Sequence, residues 1–471
     1  MIKYFVLLPE ALVVGLAVMV MVAGRFAWLP RAWRVFVPHV AVLVVLAALG
    51  VELWAGATIG AYFGGALLQD RFALFVKGAA LVTAAVVIAA TDWMSEDSAY
   101  LGVAMPLLAA FGVMVAASAG DLVGLWAGLE LTAVSGVVLV SLRRPDLALR
   151  LLIAGGIAST LLLIGLAFVY ATTGNADLGG IRGAITGEPP TLAVVIPLLL
   201  GIAGLAIRAG VAPFNVATLP AGLGASPVGA ALVVGMAAVG AGVVAIKLTA
   251  ALLPIADAYA PYTQVVAAVA MVGGGAAALG VRSPRPRMAY IAVSQLGWLA
   301  AGVATHFRSG IGASLFLLGA FALAATCGPA LLGRAEGGEP TIAGMGVVRP
   351  LRAAGVALAL LSLAGVPPLP GFFGEISVAA ALAQSGSFVL LGLGLLSAIL
   401  CISAAVATLR VLYIQSPLEE SRRGLTAALP GMTALSSFGA VAFGVVLAAY
   451  VVFGFPIMGL ADQGAEALGL R

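Results

Sequence analysis

Charge is scarce in this sequence. Of its 471 residues only 9% are Asp, Glu, Lys or Arg, against roughly 25% in a soluble domain. Lysine occurs only at Lys3, Lys77 and Lys247, and none follows a glycine, so the phosphate-cradling G-x-x-x-x-G-K-[ST] loop is absent. The two cysteines, Cys327 and Cys401, cannot build a four-cysteine metal centre or a disulfide framework. The two histidines, His39 and His306, lie far apart, so no metal or haem site is expected. No stretch between apolar segments exceeds about 20 residues, too little for a soluble catalytic domain. The net charge of +4 is no nucleic-acid signal, because the basic residues sit in short clusters between apolar runs.

What the sequence has instead is apolar surface. Hydrophobic residues make up 63% and the mean hydropathy is +1.17. Such a chain cannot cover a water-facing surface and reads as an all-α polytopic membrane protein. Its 61 glycines suit close helix packing in lipid. A spanning helix needs about 20 apolar residues, and that rule gives about 14 candidates: roughly 4–24, 36–55, 72–91, 100–118, 121–142, 148–171, 192–211, 226–252, 263–281, 288–305, 309–333, 351–384, 387–414 and 430–454. Lys3 precedes the first run and no A-x-A site follows it, so no cleavable signal peptide is expected. Arginines cluster after odd-numbered candidates, at Arg25, Arg31, Arg34, Arg143, Arg144, Arg150, Arg282, Arg285, Arg287, Arg334, Arg349, Arg352, Arg422 and Arg423. By the positive-inside rule these loops face the cytoplasm and both termini face outside.

Two candidate helices carry breakers. Arg208-Ala-Gly-Val-Ala-Pro213-Phe214 interrupts the seventh, and Gly365-Val366-Pro367-Pro368-Leu369-Pro370-Gly371 interrupts the twelfth. Proline removes a backbone donor and clashes with the preceding turn. Interrupted helices five spans apart point to an inverted-repeat transport fold; the alternative is a pair of proline kinks in a packed bundle.

Charges inside spans are costly and therefore informative. Glu130 lies mid-helix in the fifth candidate, Arg208 beside the first break and Glu375 beside the second. A carboxylate facing a base across a wet bundle can pass protons, and Glu130 with Arg208 is the natural pair, Arg208 setting the field rather than relaying. The alternative for Glu130 and Glu375 is a structural ion pair. Lys77, with Glu10 and Glu52, is a second titratable set, or an interfacial one. Lys247 reads as an interfacial anchor more than a relay. Ser135, Thr218, Ser362, Asn215, Ser294 and Gln295 offer a polar path for water-borne protons, or ordinary interhelical hydrogen bonds.

Several motifs then fall in a telling order: Leu7-Leu8-Pro9-Glu10, Phe75-Val76-Lys77, Asp121-Leu122 through Leu129-Glu130-Leu131, Arg208 through Pro213-Phe214-Asn215, Arg287-Met288-Ala289-Tyr290 through Leu296-Gly297-Trp298, and Gly365-Val366-Pro367-Pro368-Leu369-Pro370-Gly371-Phe372. Together they resemble the antiporter-like subunits of respiratory complex I, most closely the subunit N type. The resemblance implies two inverted five-helix repeats, helices four to eight and nine to thirteen, with helices seven and twelve broken. The corresponding division is residues 1–99 for three N-terminal helices, 100–252 and 263–414 for the repeats, and 430–471 for a last helix and tail. It implies proton translocation coupled to quinone reduction elsewhere in an NADH–quinone oxidoreductase of the inner (plasma) membrane. NADH, FMN, iron–sulfur clusters and quinone would be bound by other subunits, with M- and K-type chains as neighbours. The sequence departs from that pattern: Arg208 replaces the helix-seven lysine, Ala237 the helix-eight lysine, and Asn215 and Gln295 two histidines, while Glu375 stands where subunit N has lysine. Those departures imply altered or lost pumping. A multi-subunit sodium/proton antiporter, a membrane-bound hydrogenase and a non-pumping scaffold share the fold and are the alternatives.

Overall fold

The computed structural model describes residues 5–26, 36–56, 58–91, 98–185, 192–333, 342–415 and 430–469. Of the arginines grouped by loop above, Arg31, Arg34, Arg334, Arg422 and Arg423 lie outside these residues, as does Lys3. The helices are α1 (Leu8–Phe26), α2 (Val37–Ala55), α3 (Arg71–Ala90), α4 (Ala99–Ser118), α5 (Leu122–Ser141), α6 (Pro145–Thr173), α7 (Leu192–Ala209), α8 (Pro227–Ala251), α9 (Ala256–Gly280), α10 (Pro284–Val303), α11 (Arg308–Leu332), α12 (Pro350–Leu363), α13 (Phe388–Tyr413), α14 (Pro430–Val452) and α15 (Gly454–Ala467). Eleven helices among the described residues are long and apolar enough to cross a membrane, since 20 residues at about 1.5 Å each span the roughly 30 Å hydrocarbon core. The chain is a multi-pass membrane protein. Of the others, α7 and α12 are cut short by their breaks, and α10 opens on Pro284-Arg285-Pro286-Arg287.

Local chemistry sets the helix starts. Asp70, Asp121 and Ser226 accept from the backbone N–H three residues on, at 2.7, 2.7 and 3.1 Å. Proline occupies the first turn of α6, α8, α10 and α12, where its missing N–H costs nothing. The sheathed centre is α11, buried from Gly310 to Leu332 against α3, α10, α12 and α15. The helices α1, α2, α6, α9 and α13 form the rim and present Leu43, Leu53, Val265, Leu395 and Ile399 outward, as lipid-facing surfaces require.

Two elements depart from the sequence reading. The connection between α2 and α3 is a β-hairpin, β1 (Gly60–Tyr62) antiparallel to β2 (Leu67–Gln69), tied to the α4–α5 turn by Gly120 N–H donating to the Ala66 carbonyl. The tail is the helix α15. It is held by Arg308 on Glu466 at 2.9 Å and by Arg182 donating to the Leu468 and Gly469 carbonyls at 2.9 and 2.8 Å. The α6–α7 and α10–α11 connections and the C-terminus therefore share one end of the bundle. At another place Arg143, Arg144 and Arg285 line one cleft of about 490 Å³ with Leu223, Gly224 and Ala225, which groups the connections after α5, α7 and α9.

The two breaks have the same backbone. In the first, Gly210 N–H donates to Ile207 O, Val211 N–H to Ala206 O and Phe214 N–H to Val211 O. In the second, Gly365 donates to Ser362, Val366 to Leu361 and Leu369 to Val366. Gly210 and Gly365 both have φ of +67°, and Ala212–Pro213 and Pro367–Pro368 are both cis. Each helix resumes beyond its break, over Thr218–Gly224 and Pro370–Gln384. A second likeness joins α4–α5 to α9–α10. Thr132 Oγ1 reaches the Ala109 carbonyl at 3.5 Å and Ser294 Oγ the Met271 carbonyl at 3.0 Å, across the same 23-residue separation. Gly112 and Gly274 let these helix pairs approach, since a Cβ on either would strike Thr132 or Ser294.

Candidate functional site

Glu130 on α5 and Arg208 at the end of α7 form an ion pair, as the sequence suggests. The pair is shared by a third group that spacing does not reveal. Ser159 on α6 donates to Glu130 Oε1, accepts from Arg208 Nη2 at 3.0 Å, and accepts from Trp126 Nε1 at 3.2 Å. Ser159 is one hydroxyl in a long apolar helix, and only the docking of α6 on α7 selects it. Gly155, one turn before Ser159, leaves room for the guanidinium; a Cβ there would lie 2.8 Å from Arg208 Nη1. The Arg208 side chain is 9% exposed and that of Glu130 26%.

Beside this pair lies a small cavity of about 30 Å³ whose lining includes Arg208, Thr218, Val233 and Ala237. It is large enough for one or two waters, which need about 10–15 Å³ each on this scale. Thr218 donates to the Ile207 carbonyl at 3.4 Å, so hydroxyl and guanidinium supply the polar wall. Ala237 follows a π-helical turn over Ala231–Met236 in α8. Such turns widen a helix locally.

The second break faces different chemistry. Its position equivalent to Arg208 is Leu363, two residues before Gly365. Glu375 lies in the resumed half of the helix, 7% exposed, with no ion pair among the described residues. Its partner is the Gln295 amide of α10, which, oriented to satisfy its neighbours, donates to Glu375 Oε1 at 3.0 Å and to the Leu363 carbonyl. Ser362 Oγ accepts from Gly371 N–H at 3.4 Å across the break. Gly365 is required here twice: its φ is positive, and a Cβ would fall on the Glu375 carboxyl. Below this site Ser294 and the unforeseen Ser397 of α13 share a hydrogen bond at 2.5 Å.

Other singled-out residues land elsewhere. Lys77 is fully buried rather than interfacial. It pairs with Glu10 Oε1 at 2.6 Å, lies 3.9 Å from Glu52 Oε2, and donates to Gln69 Oε1 at 2.8 Å. Gln69 in turn donates to Glu52 Oε1 at 2.7 Å. The expectation that Lys247 is an interfacial anchor is corrected: it is 1% exposed. Its ammonium donates to the Ala117 and Ala119 carbonyls at 2.5 and 2.6 Å, with Phe72 below it. The unpaired carbonyls ending α4 draw it inward, as a helix C-terminus draws a cation. Ser135 donates within its own helix to the Thr132 carbonyl at 2.6 Å, and Asn215 contributes its carbonyl to Leu219 N–H at 3.0 Å. Neither side chain joins the two clusters among the described contacts.

The family described as "NADH:quinone oxidoreductase/Mrp antiporter, TM" matches residues 119–401, which contain both breaks and all of Glu130, Arg208, Gln295 and Glu375. A subunit N of NADH-quinone oxidoreductase from Granulibacter bethesdensis is 30% identical over 451 residues, covering 90% of this chain and 93% of that one. The chain belongs to this antiporter-like family. A chain of respiratory complex I from Thermus thermophilus superposes with a TM-score of 0.78 at 22% identity, covering 96% of this chain and 99% of that chain. A chain of the Mrp complex from Dietzia sp. superposes at 0.81 and 20% identity, over 98% and 97%. These likenesses show the fold; the chemistry at each break is read from this chain's own residues.

Proposed function

We propose that this chain is an antiporter-like membrane subunit of a complex I-type NADH–quinone oxidoreductase, of the subunit N type, and that it translocates protons as quinone is reduced elsewhere in the assembly. One observation carries the mechanism: each of two breaks with the same backbone stands beside a carboxyl inside the bundle, Glu130 with Arg208 at the first and Glu375 with Gln295 at the second. In this reading α1–α14 all cross the membrane, and α4–α8 and α9–α13 are inverted repeats. The chain divides at residues 1–99, 100–252, 263–414 and 430–471. The like hydrogen bonds of Thr132 and Ser294 support the pairing of the halves. The chain lies in the inner (plasma) membrane with both termini outside and the Arg143–Arg144–Arg285 cleft inside. It holds no redox group of its own; NADH, FMN, iron–sulfur clusters and quinone belong to other subunits, and M- and K-type chains flank it.

The path runs through Glu130, Arg208, Gln295 and Glu375, with water at Ala237 where the family has a lysine. Arg208 holds charge and does not carry the proton, since a guanidinium in a protein does not give its proton up. Glu130 therefore loads and releases protons against a fixed cation. Lys77 and Lys247 belong to the N-terminal side of that path, and Ser135, Asn215 and Ser294 to its polar wall. Glu130→Gln and Glu375→Gln in the assembled complex test this in inverted membrane vesicles: NADH oxidation continues while the protons moved per NADH fall. Unchanged stoichiometry in both variants leaves the chain as a scaffold, the reading that Ala237 favours.

A further inference from the structure

We propose that the buried cluster of Glu10, Glu52 and Lys77 in α1–α3 is a proton-binding site, separate from both helix breaks, in which Glu10 and Lys77 form the ion pair and Glu52 carries the proton. The first argument is charge. Two carboxyls and one ammonium meet in a space where Lys77 and Glu52 are fully buried and Glu10 is 5% exposed. With both carboxyls ionised the cluster would hold an uncompensated negative charge, and isolated buried charge is so costly that the group takes up a proton instead. The second is geometry. Lys77 Nζ sits 2.6 Å from Glu10 and 3.9 Å from Glu52, so the ammonium has chosen Glu10.

The third argument is the hydrogen bonding. Gln69 Nε2 donates to Glu52 Oε1 and Gln69 Oε1 accepts from Lys77, so the amide holds one Glu52 oxygen and orients the other. That other oxygen, Oε2, is buried with no hydrogen-bond partner, as is Glu10 Oε2. Protonation turns Glu52 Oε2 into a donor, and the buried Glu10 Oε2 is an acceptor that lacks one. The next charged groups are Asp70, which caps α3, and Lys247 of α8, whose ammonium lies over the Phe72 ring and on the Ala117 and Ala119 carbonyls. They form one cation and one anion and leave the balance of the cluster unchanged. The site stands on β2, at the end of the bundle where α2 finishes and α3 begins.

The test is infrared spectroscopy of the purified complex at pH 7, which separates the carbonyl stretch of a protonated carboxyl from that of a carboxylate. A deuterium-sensitive protonated-carboxyl band is expected in the wild type and lost in Glu52→Gln with no loss of carboxylate signal; in Glu10→Gln the band is also lost, because Glu52 must then ionise to balance Lys77. Loss of carboxylate signal alone in Glu52→Gln overturns the proposal. Heat stability of the assembled complex is the second readout. Gln copies a neutral Glu52, so Glu52→Gln is expected to assemble and to hold wild-type stability, while Glu10→Gln breaks the 2.6 Å pair, leaves Lys77 only Glu52 at 3.9 Å and lowers the stability of the assembled complex. Equal losses in the two variants, or failure of Glu52→Gln to assemble, overturn it. So does stabilisation of the wild type by sodium ion at pH 7 that Glu52→Gln abolishes, because the site then holds a metal cation.

Discussion

Arg208 closes on Glu130 across the packed α5–α6–α7 interface, and Ser159 holds both partners through one oxygen. A guanidinium can serve such a triangle because its planar fork presents several donors at once. The pair thus fixes the end of α7 immediately before the break, and its charge state and the position of the break are linked.

Removing the cation should be costly. Arg208→Leu leaves Glu130 without a counter-ion, and breaking a buried pair costs about 3–5 kcal/mol. The low end applies, because Glu130 keeps 26% of its side-chain surface. Ser159→Ala removes one shared hydroxyl and should cost about 1–3 kcal/mol. Thermal inactivation of the complex should rank the variants in that order, and Arg208→Lys should fall between wild type and Arg208→Leu.

The two break glycines separate strain from site chemistry. Both have φ of +67°, so alanine at either costs about 1–2 kcal/mol of backbone conformation. At Gly210 the added Cβ meets the Thr218 methyl; at Gly365 it meets the Glu375 carboxyl. Gly210→Ala and Gly365→Ala should therefore lose similar stability, while only Gly365→Ala should also reduce protons pumped per NADH.

Lys247 predicts an effect on stability from a fully buried position. Its ammonium satisfies two carbonyls that end α4. Lys247→Met removes both donors and should lower the heat stability of the complex, read as faster thermal inactivation.

His306, in the turn between α10 and α11, packs edge-on against Tyr259 with ring centroids 5.2 Å apart. Burial lowers its pKa from the usual value near 6.5, and Asp257 only partly opposes this. The folded protein therefore keeps the imidazole neutral where the unfolded chain already binds a proton. Its contribution is full above pH of about 6.5 and is lost as pH falls from there through the folded value. Melting curves between pH 7.5 and about pH 5 should show this acid loss, and His306→Gln should flatten it.

Helix positions were legible in the sequence because a membrane leaves the backbone one economical choice: about twenty apolar residues with internal hydrogen bonds, ended by caps, prolines and charges. The breaks at Pro213 and at Pro367 to Pro370 were legible for the same local reason, and so was the Glu130–Arg208 pair, since two opposite charges in lipid must find each other. Gln69, Ser159 and Ser397 were not, because each is an ordinary polar residue until a distant helix docks beside it. Tertiary structure alone decided that Lys247 turns inward to the end of α4, that Lys77 is divided unequally between Glu10 and Glu52, and that one backbone break faces an ion pair while its twin faces a carboxyl held by an amide. Those outcomes depend on which side chains meet across helices tens of residues apart, where burial makes each unpaired charge expensive and each hydrogen bond specific.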